Sequence, residues 1–168
     1  MPRPRVAPDM PTYTRRTRVD APLADVWAFH SRVEGLEALT PGFMNLEVGE
    51  VRGPDGEADP EVLMQGSEID MSLRPFGVGP RQRWTSVITD REEGDGVAWF
   101  RDEMRGGPFS RWKHTHRFRA DGDGTVIEDR VVYQLPLGPL GRALGPLGVV
   151  GFEPMFRDRH RRTKQILE

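Results

Sequence analysis

The first regular pattern in the chain is an alternation. In Thr12–Val19, Tyr13, Arg15, Thr17 and Val19 fall on one side and Thr12, Thr14, Arg16 and Arg18 on the other, the period-two signature of a strand with β-branched content. At Asp20-Ala21-Pro22 the period changes. Leu23, Val26, Trp27 and His30 recur at i, i+3, i+4 and i+7, which predicts a helix running from Pro22, capped by Asp20, with one apolar face that ends in a histidine. Gly35 weakens its continuation, so Val33–Leu39 is predicted as a second short helix, closed by Thr40-Pro41-Gly42.

From Phe43 onward the chain predicts strands separated by turn chemistry: Phe43–Val51, Val62–Leu73, Gln82–Asp90, Val97–Met104, Phe109–Arg119 and Thr125–Leu135. The breaks between them are rich in glycine and proline, and Asp121-Gly122-Asp123-Gly124 is the clearest hairpin signal. Leu135–Gly148 then repeats a Leu/Gly/Pro unit that cannot form a regular long helix. Beyond it Phe152, Met155, Phe156, Arg159, Thr163 and Ile166 or Leu167 return at helical spacing, which predicts a final amphipathic helix over about Val149–Leu167, with Pro154 limiting its first turn. The expectation is an α+β chain in which seven antiparallel strands form one curved sheet, with two short helices between strands 1 and 2. The long C-terminal helix covers the concave face, and Pro136–Pro154 is a loop or broken helix at the entrance between them.

Composition adds limits. The chain has 168 residues, 19 glycines, 15 prolines and no cysteine, so a disulfide scaffold and a zinc–cysteine module are excluded, and the many turns fit a hairpin sheet. The length predicts one domain, residues 12–168, after a flexible leader, Met1–Pro11. No apolar run reaches the roughly 18 residues that a membrane span needs, and a soluble, cytoplasmic protein is expected. Net charge is −2, but arginines load both ends. The basic last helix is either a solvated face with cations at its favourable end or an interaction surface for protein or nucleic acid. The former is preferred and no nucleic-acid partner is expected.

The most informative run is Trp112-Lys113-His114-Thr115-His116-Arg117-Phe118. Alternation puts Trp112, His114, His116 and Phe118 on one face and the basic residues on the other, the solvent face. If the Asp-Gly-Asp-Gly turn sets the register with Phe118 opposite Ile127, His116 faces Asp129, His114 faces Val131 and Trp112 faces Tyr133. The Gly106-Gly107-Pro108 turn brings Phe100 and Asp102 to the other side. The resulting patch of Asp102, His114, His116 and Asp129 has three open readings: buried pairs that serve structure only, the polar end of a ligand cavity, or a general acid–base site. Two imidazoles on one strand face could also share an ion with Asp129, though no metal and no cofactor is expected. No phosphate loop and no nucleophile motif is present. His30 and His160, each alone on a helix, are expected to serve packing or surface.

Val19-Asp-Ala-Pro-Leu-Ala-Asp-Val-Trp-Ala-Phe-His30, Leu36-Glu-Ala-Leu-Thr-Pro41, Phe100-Arg-Asp102, Gly107–His116, Asp129-Arg-Val-Val-Tyr133 and Leu135–Gly141 occur in an order and spacing that resemble the START-like, birch-pollen-allergen-like ligand-binding superfamily (SRPBCC), in its polyketide cyclase/dehydrase-like branch. The resemblance spans about Thr12–Leu167. It implies a helix-grip fold with a hydrophobic cavity, binding of lipids, polyketides or other apolar molecules, and catalysis in only some members. The expected function is binding of a small or medium hydrophobic ligand. Val26, Trp27, His30, Phe100, Trp112, His114, His116, Val131, Tyr133, Phe152, Met155 and Phe156 are its expected lining. The alternative is a cyclase or dehydratase using His114, His116, Asp102 and Asp129.

Overall fold

A computed structural model of the chain describes residues 10–145 and 148–168. Seven strands, β1 (Thr12–Val19), β2 (Glu47–Arg52), β3 (Glu68–Leu73), β4 (Gln82–Gly94), β5 (Val97–Gly106), β6 (Arg111–Asp121) and β7 (Gly124–Gln134), form one sheet in the order β1-β7-β6-β5-β4-β3-β2, every neighbour antiparallel. Two short helices, α1 (Leu23–His30) and α2 (Val33–Leu39), lie between β1 and β2, and α3 (Gly138–Leu144) and α4 (Gly148–Leu167) close the chain. This is the helix-grip architecture. Among the described residues no helix is long and apolar enough to cross a membrane.

The turn at Asp121–Gly124 fixes the central register, because a two-residue hairpin leaves its flanking strands one way to pair. Phe118 lies opposite Ile127, His116 opposite Asp129, His114 opposite Val131 and Trp112 opposite Tyr133, as the alternation predicts. Across the other edge of β6, Phe100 pairs with His116 and Asp102 with His114.

Several expected boundaries differ. Phe43 is not in a strand: Gly42–Met44 forms a 3-10 turn in which the Met44 amide donates to the Pro41 carbonyl at 3.0 Å, Asn45 turns with φ 49°, and β2 starts at Glu47. β3 starts at Glu68 instead of Val62, since the Leu63 amide is drawn to the Ser31 carbonyl (2.8 Å) and Gly66 turns at φ +94°. Asp20 does not cap α1. Pro22 occupies that position without a side-chain bond, and the Asp20 carboxylate pairs with Arg18. The expected leader lies outside the described residues except for Met10 and Pro11, and the Pro11 carbonyl accepts the Tyr133 amide at 3.1 Å.

Within Pro136–Pro154, Gly138–Leu144 forms α3 and Gly148 begins α4, with Pro146 and Leu147 outside the described residues. Pro154 falls beyond the first turn of α4, where it withholds one donor from the carbonyl of Val150, an exposed residue. A side chain at Gly148 would meet the Tyr133 ring at 2.7 Å, so the absence of a Cβ is what lets α4 begin this close to β7.

The two helices that matter for the interior bury the faces their spacing predicts. α1 buries Val26, Trp27 and His30, and Trp27 packs on Phe118 (5.6 Å) and Phe100 (5.9 Å) in an apolar cluster with Val19, Ile88 and Ile127. α4 buries Phe152, Phe156, His160 and Thr163, a single stripe at intervals of four, four and three residues. Phe152 and Phe156 pack on Tyr13 and Tyr133 or Val131 in a second cluster, and Glu153 anchors the helix by accepting from Tyr13 Oη (2.6 Å) and from Arg15.

Candidate functional site

Between the concave face of the sheet and the helices α2 and α4 lies a cavity of about 370 Å³. Its apolar wall includes Leu36 and Leu39 from α2, Ile69 and Met71 from β3, Trp84 and Ile88 from β4, Met104 from β5, Phe109 from the turn before β6, Trp112 from β6, and Phe152, Met155 and Phe156 from α4. Its polar lining includes Asp102, His114, His116, Arg159 and His30, with Arg32, Thr40, Gln82 and Ser86 elsewhere on the wall.

Asp102, His114 and His116 belong to one connected cluster with Asp129 and His160. Asp129, 1 % exposed on β7, lies behind the two β6 histidines. Its Oδ1 accepts from His114 Nε2 at 2.9 Å, and its Oδ2 accepts from His160 Nε2 at 2.5 Å. His116 Nδ1 stands 3.0 Å from the same Oδ1, close enough for ionic attraction but misaligned for a hydrogen bond, while His116 Nε2 donates to Asp102 Oδ2 at 3.1 Å. The His114 and His116 rings are 3.7 Å apart, and His114 Nδ1 is 3.7 Å from Asp102, beyond hydrogen-bond reach. Since His114 Nε2–H is given to Asp129, the neutral ring carries its lone pair on Nδ1, toward the cavity side.

Burial and pairing set the charges. Burial penalises the Asp129 carboxylate, but the bonds from His114 and His160 and the close approach of His116 outweigh it and hold its pKa well below the ordinary carboxylate range. Asp102 is also held low: burial opposes ionisation and the His116 bond and nearby His114 and Arg159 overcome it. For His116, burial pulls the pKa down and the two carboxylates more than restore it, so it ends raised. His114 ends lowered, by burial first and then by the neighbouring His116 charge, which leaves it the neutral member of the pair.

His30 stands apart from this network. Its Nδ1–H donates to the Val26 carbonyl at 2.8 Å and its ring lies 4.7 Å from Phe118. Burial, reinforced by Arg159 on α4 and by His116 on β6 and only partly offset by the Val26 bond and Asp129 on β7, lowers its pKa to about 3. The unfolded chain takes up this proton near pH 6.5 and the folded chain does not. Stability from this residue is therefore fully present above about pH 6.5 and is lost as pH falls toward 3, at up to about 1.4 kcal/mol per pH unit. His30→Phe is expected to flatten the decline between pH 6.5 and 3 by up to one proton, read by urea unfolding across that range. Parallel curves for the variant and the parent would contradict the assignment.

Of the residues expected to line a cavity, His30, Phe100, Trp112, His114, His116, Phe152, Met155 and Phe156 lie on its wall. Val26, Trp27, Val131 and Tyr133 do not. They are sealed in the two apolar clusters, where α1 and α4 press directly on the sheet, and Tyr133 Oη donates to the Gly145 carbonyl at 2.6 Å. Asp129 likewise sits behind the wall instead of on it. The sequence reading missed Arg159 and the part played by His160. His160 follows Phe152 and Phe156 at four-residue intervals, a signal that it faces inward, but its partner on β7 is 31 residues away. Three basic side chains of α4 have acidic neighbours: Asp158 pairs with Arg161 and, at 2.7 Å, with Arg162, and Lys164 lies 3.7 Å from Glu168, just past the helix.

Solved structures share this architecture. TTHA0849 from Thermus thermophilus superimposes with a TM-score of 0.61 at 20% identity, covering 94% of this chain and 100% of that one. Truncated norcoclaurine synthase from Thalictrum flavum gives 0.63 at 18% identity over 95% and 94%, and major latex-like protein 151 from Panax ginseng gives 0.61 at 12% over 95% and 98%. At these identities the likeness is one of fold. No curated protein sequence matches significantly. Family assignment rests instead on the chain itself, because residues 19–160, from the end of β1 to His160 on α4, match the family described as polyketide cyclase/dehydrase and lipid transport, and to that family this chain belongs.

Proposed function

We propose that this protein binds a small or medium hydrophobic molecule, of lipid, polyketide or aromatic type, in the cavity between the sheet and α4. The observation that carries the reading is the composition of the wall: a predominantly apolar surface that also carries a group of ionisable side chains, Asp102, His114, His116 and Arg159. A volume of about 370 Å³ falls in the range of small-molecule sites. An apolar ligand burying about 300 Å² would gain about 7 kcal/mol before the cost of immobilising it. The ionisable side chains fix orientation. Arg159 offers a cation and His114 Nδ1 an acceptor, so the ligand best matched is apolar over most of its length with an oxygen-bearing, preferably anionic, end.

Anilinonaphthalene sulfonate, a fluorescent apolar anion, is expected to bind saturably at one site per chain and to be displaced by fatty acids or hydroxylated aromatic acids. Folded protein that shows no saturable binding, and no co-purified small molecule by native mass spectrometry, would overturn the reading.

The placement of His114 favours a second reading. A neutral imidazole whose far nitrogen is oriented by a buried carboxylate is the arrangement of a general base. In a cyclase or dehydratase it would take a proton from carbon beside a carbonyl, with Asp102 and His116 as the adjacent acid–base pair. Deuterium uptake from heavy water into a bound enolisable ketone, abolished in His114→Gln, supports this chemistry; unchanged isotope content leaves binding alone.

A further inference from the structure

We propose that Asp102, His114 and His116 form a site for one divalent transition-metal ion on the cavity wall. One donor atom from each of the three residues lies within 4.8 Å of the others. Asp102 Oδ2 is 3.1 Å from His116 Nε2 and 3.7 Å from His114 Nδ1. Donors that share a tetrahedral ion at about 2.1 Å stand about 3.4 Å apart, so these spacings need only small adjustment to close on a metal. The topology supplies this proximity: Asp102 is directly opposite His114 across the β5–β6 ladder, and His116 follows on the same face.

The donors are also oriented from behind. Asp129 accepts from His114 Nε2, the nitrogen turned away from Asp102, lies 3.0 Å from the corresponding Nδ1 of His116, and is itself steadied by His160. A carboxylate behind a metal-binding imidazole fixes its tautomer and aims the free nitrogen at the ion, as Asp129 does for His114, while His116 Nε2 releases the proton it gives to Asp102 when the ion binds. An ion-pair network explains the His116–Asp102 bond. It leaves His114 Nδ1 and Asp102 Oδ2, both acceptors in this tautomer, 3.7 Å apart, a pairing that a cation between them would satisfy.

The donor set defines the ion. Two imidazoles and one carboxylate suit Zn²⁺, Co²⁺ or Fe²⁺, whereas Mg²⁺ and Ca²⁺ require oxygen donors throughout. Only three positions are filled by protein, and all three residues line the cavity, so the remaining positions face the space a ligand would occupy. The carboxylate ligand is Asp102, and Asp129, which the sequence alone suggested for that role, is the positioning residue behind it.

The test uses the full chain, stripped with a chelator and titrated with Co²⁺, whose visible absorption reports coordination, and with Zn²⁺ and anaerobic Fe²⁺ by equilibrium dialysis. One ion per chain is expected, with the intense bands of four- or five-coordinate Co²⁺ and displacement by Zn²⁺. Asp102→Asn and His116→Gln should each weaken binding by about 100-fold, and Asp129→Asn by about 10- to 100-fold with the bands retained. Circular dichroism confirms that each variant is folded, and His114→Gln replaces either ligand variant that is not. Folded parent protein that takes up none of the three ions stoichiometrically, or folded ligand variants that retain parental affinity, would overturn the site. Anilinonaphthalene sulfonate binding to the stripped protein is measured separately, so loss of the metal site and loss of the hydrophobic site are distinguishable results.

Discussion

Asp129→Asn is expected to lower the unfolding free energy at pH 7 by about 3–5 kcal/mol, the usual consequence of removing one partner from a buried ionic group. The carboxylate is 1 % exposed and serves His114 at 2.9 Å, His160 at 2.5 Å and His116 at 3.0 Å. An amide of the same shape keeps one acceptor oxygen and turns a donor toward imidazoles that need an acceptor. At least one ring loses its partner, and His116, whose pKa the two carboxylates raise, loses one of them. Because three elements, β6, β7 and α4, meet at this side chain, the loss is global. Chemical denaturation should show the midpoint falling with an unchanged slope, and the melting temperature should drop by roughly 10 °C. A change below about 1 kcal/mol would mean that the three imidazoles are satisfied without the charge.

The second large effect concerns selectivity. Arg159 lines the cavity from α4, and among the described residues no carboxylate forms an ion pair with it, although neighbouring arginines on the helix are paired. A cation in this position matches an anionic ligand end. Arg159→Met keeps an unbranched, flexible stem and removes the guanidinium and its charge. The affinity for a fatty or aromatic carboxylate should fall by about 10- to 100-fold, the range of one or two charge-assisted hydrogen bonds, while that of the corresponding alcohol changes by less than about 3-fold. Calorimetric titration of the matched pair reads both numbers. Equal losses for acid and alcohol would show that Arg159 shapes the cavity without recognising charge.

Much of the cluster was legible because one turn and one alternation set it. Asp121–Gly124 determines the pairing of β6 with β7, and from that pairing alone His116 meets Asp129 and Trp112 meets Tyr133. Strand boundaries were less legible where the competing signals were long range. Val62–Ser67 contains apolar residues suited to a strand, yet Leu63 is held by the Ser31 carbonyl at the end of α1, a bond between segments that only the folded chain brings together. Similarly, His160 carried an inward-facing helical signal, but nothing in its neighbourhood names Asp129 as its partner.

Local sequence determined the seven strands, the helix-grip order and the inward face of each element, because alternation, helical spacing and turn chemistry act over a few residues. Which inward residues face a void and which are packed was decided by tertiary structure. Trp27 and Tyr133 are aromatic and inward-facing like Trp112 and Phe152, but the first two are enclosed entirely by their clusters, whereas the last two pack in the second cluster and also border the cavity. The same docking brings Arg159 and His160 to opposite tasks from adjacent positions, one toward the cavity and the other onto Asp129. Helix–sheet separation depends on the summed curvature of seven strands, and no short stretch of sequence contains that sum.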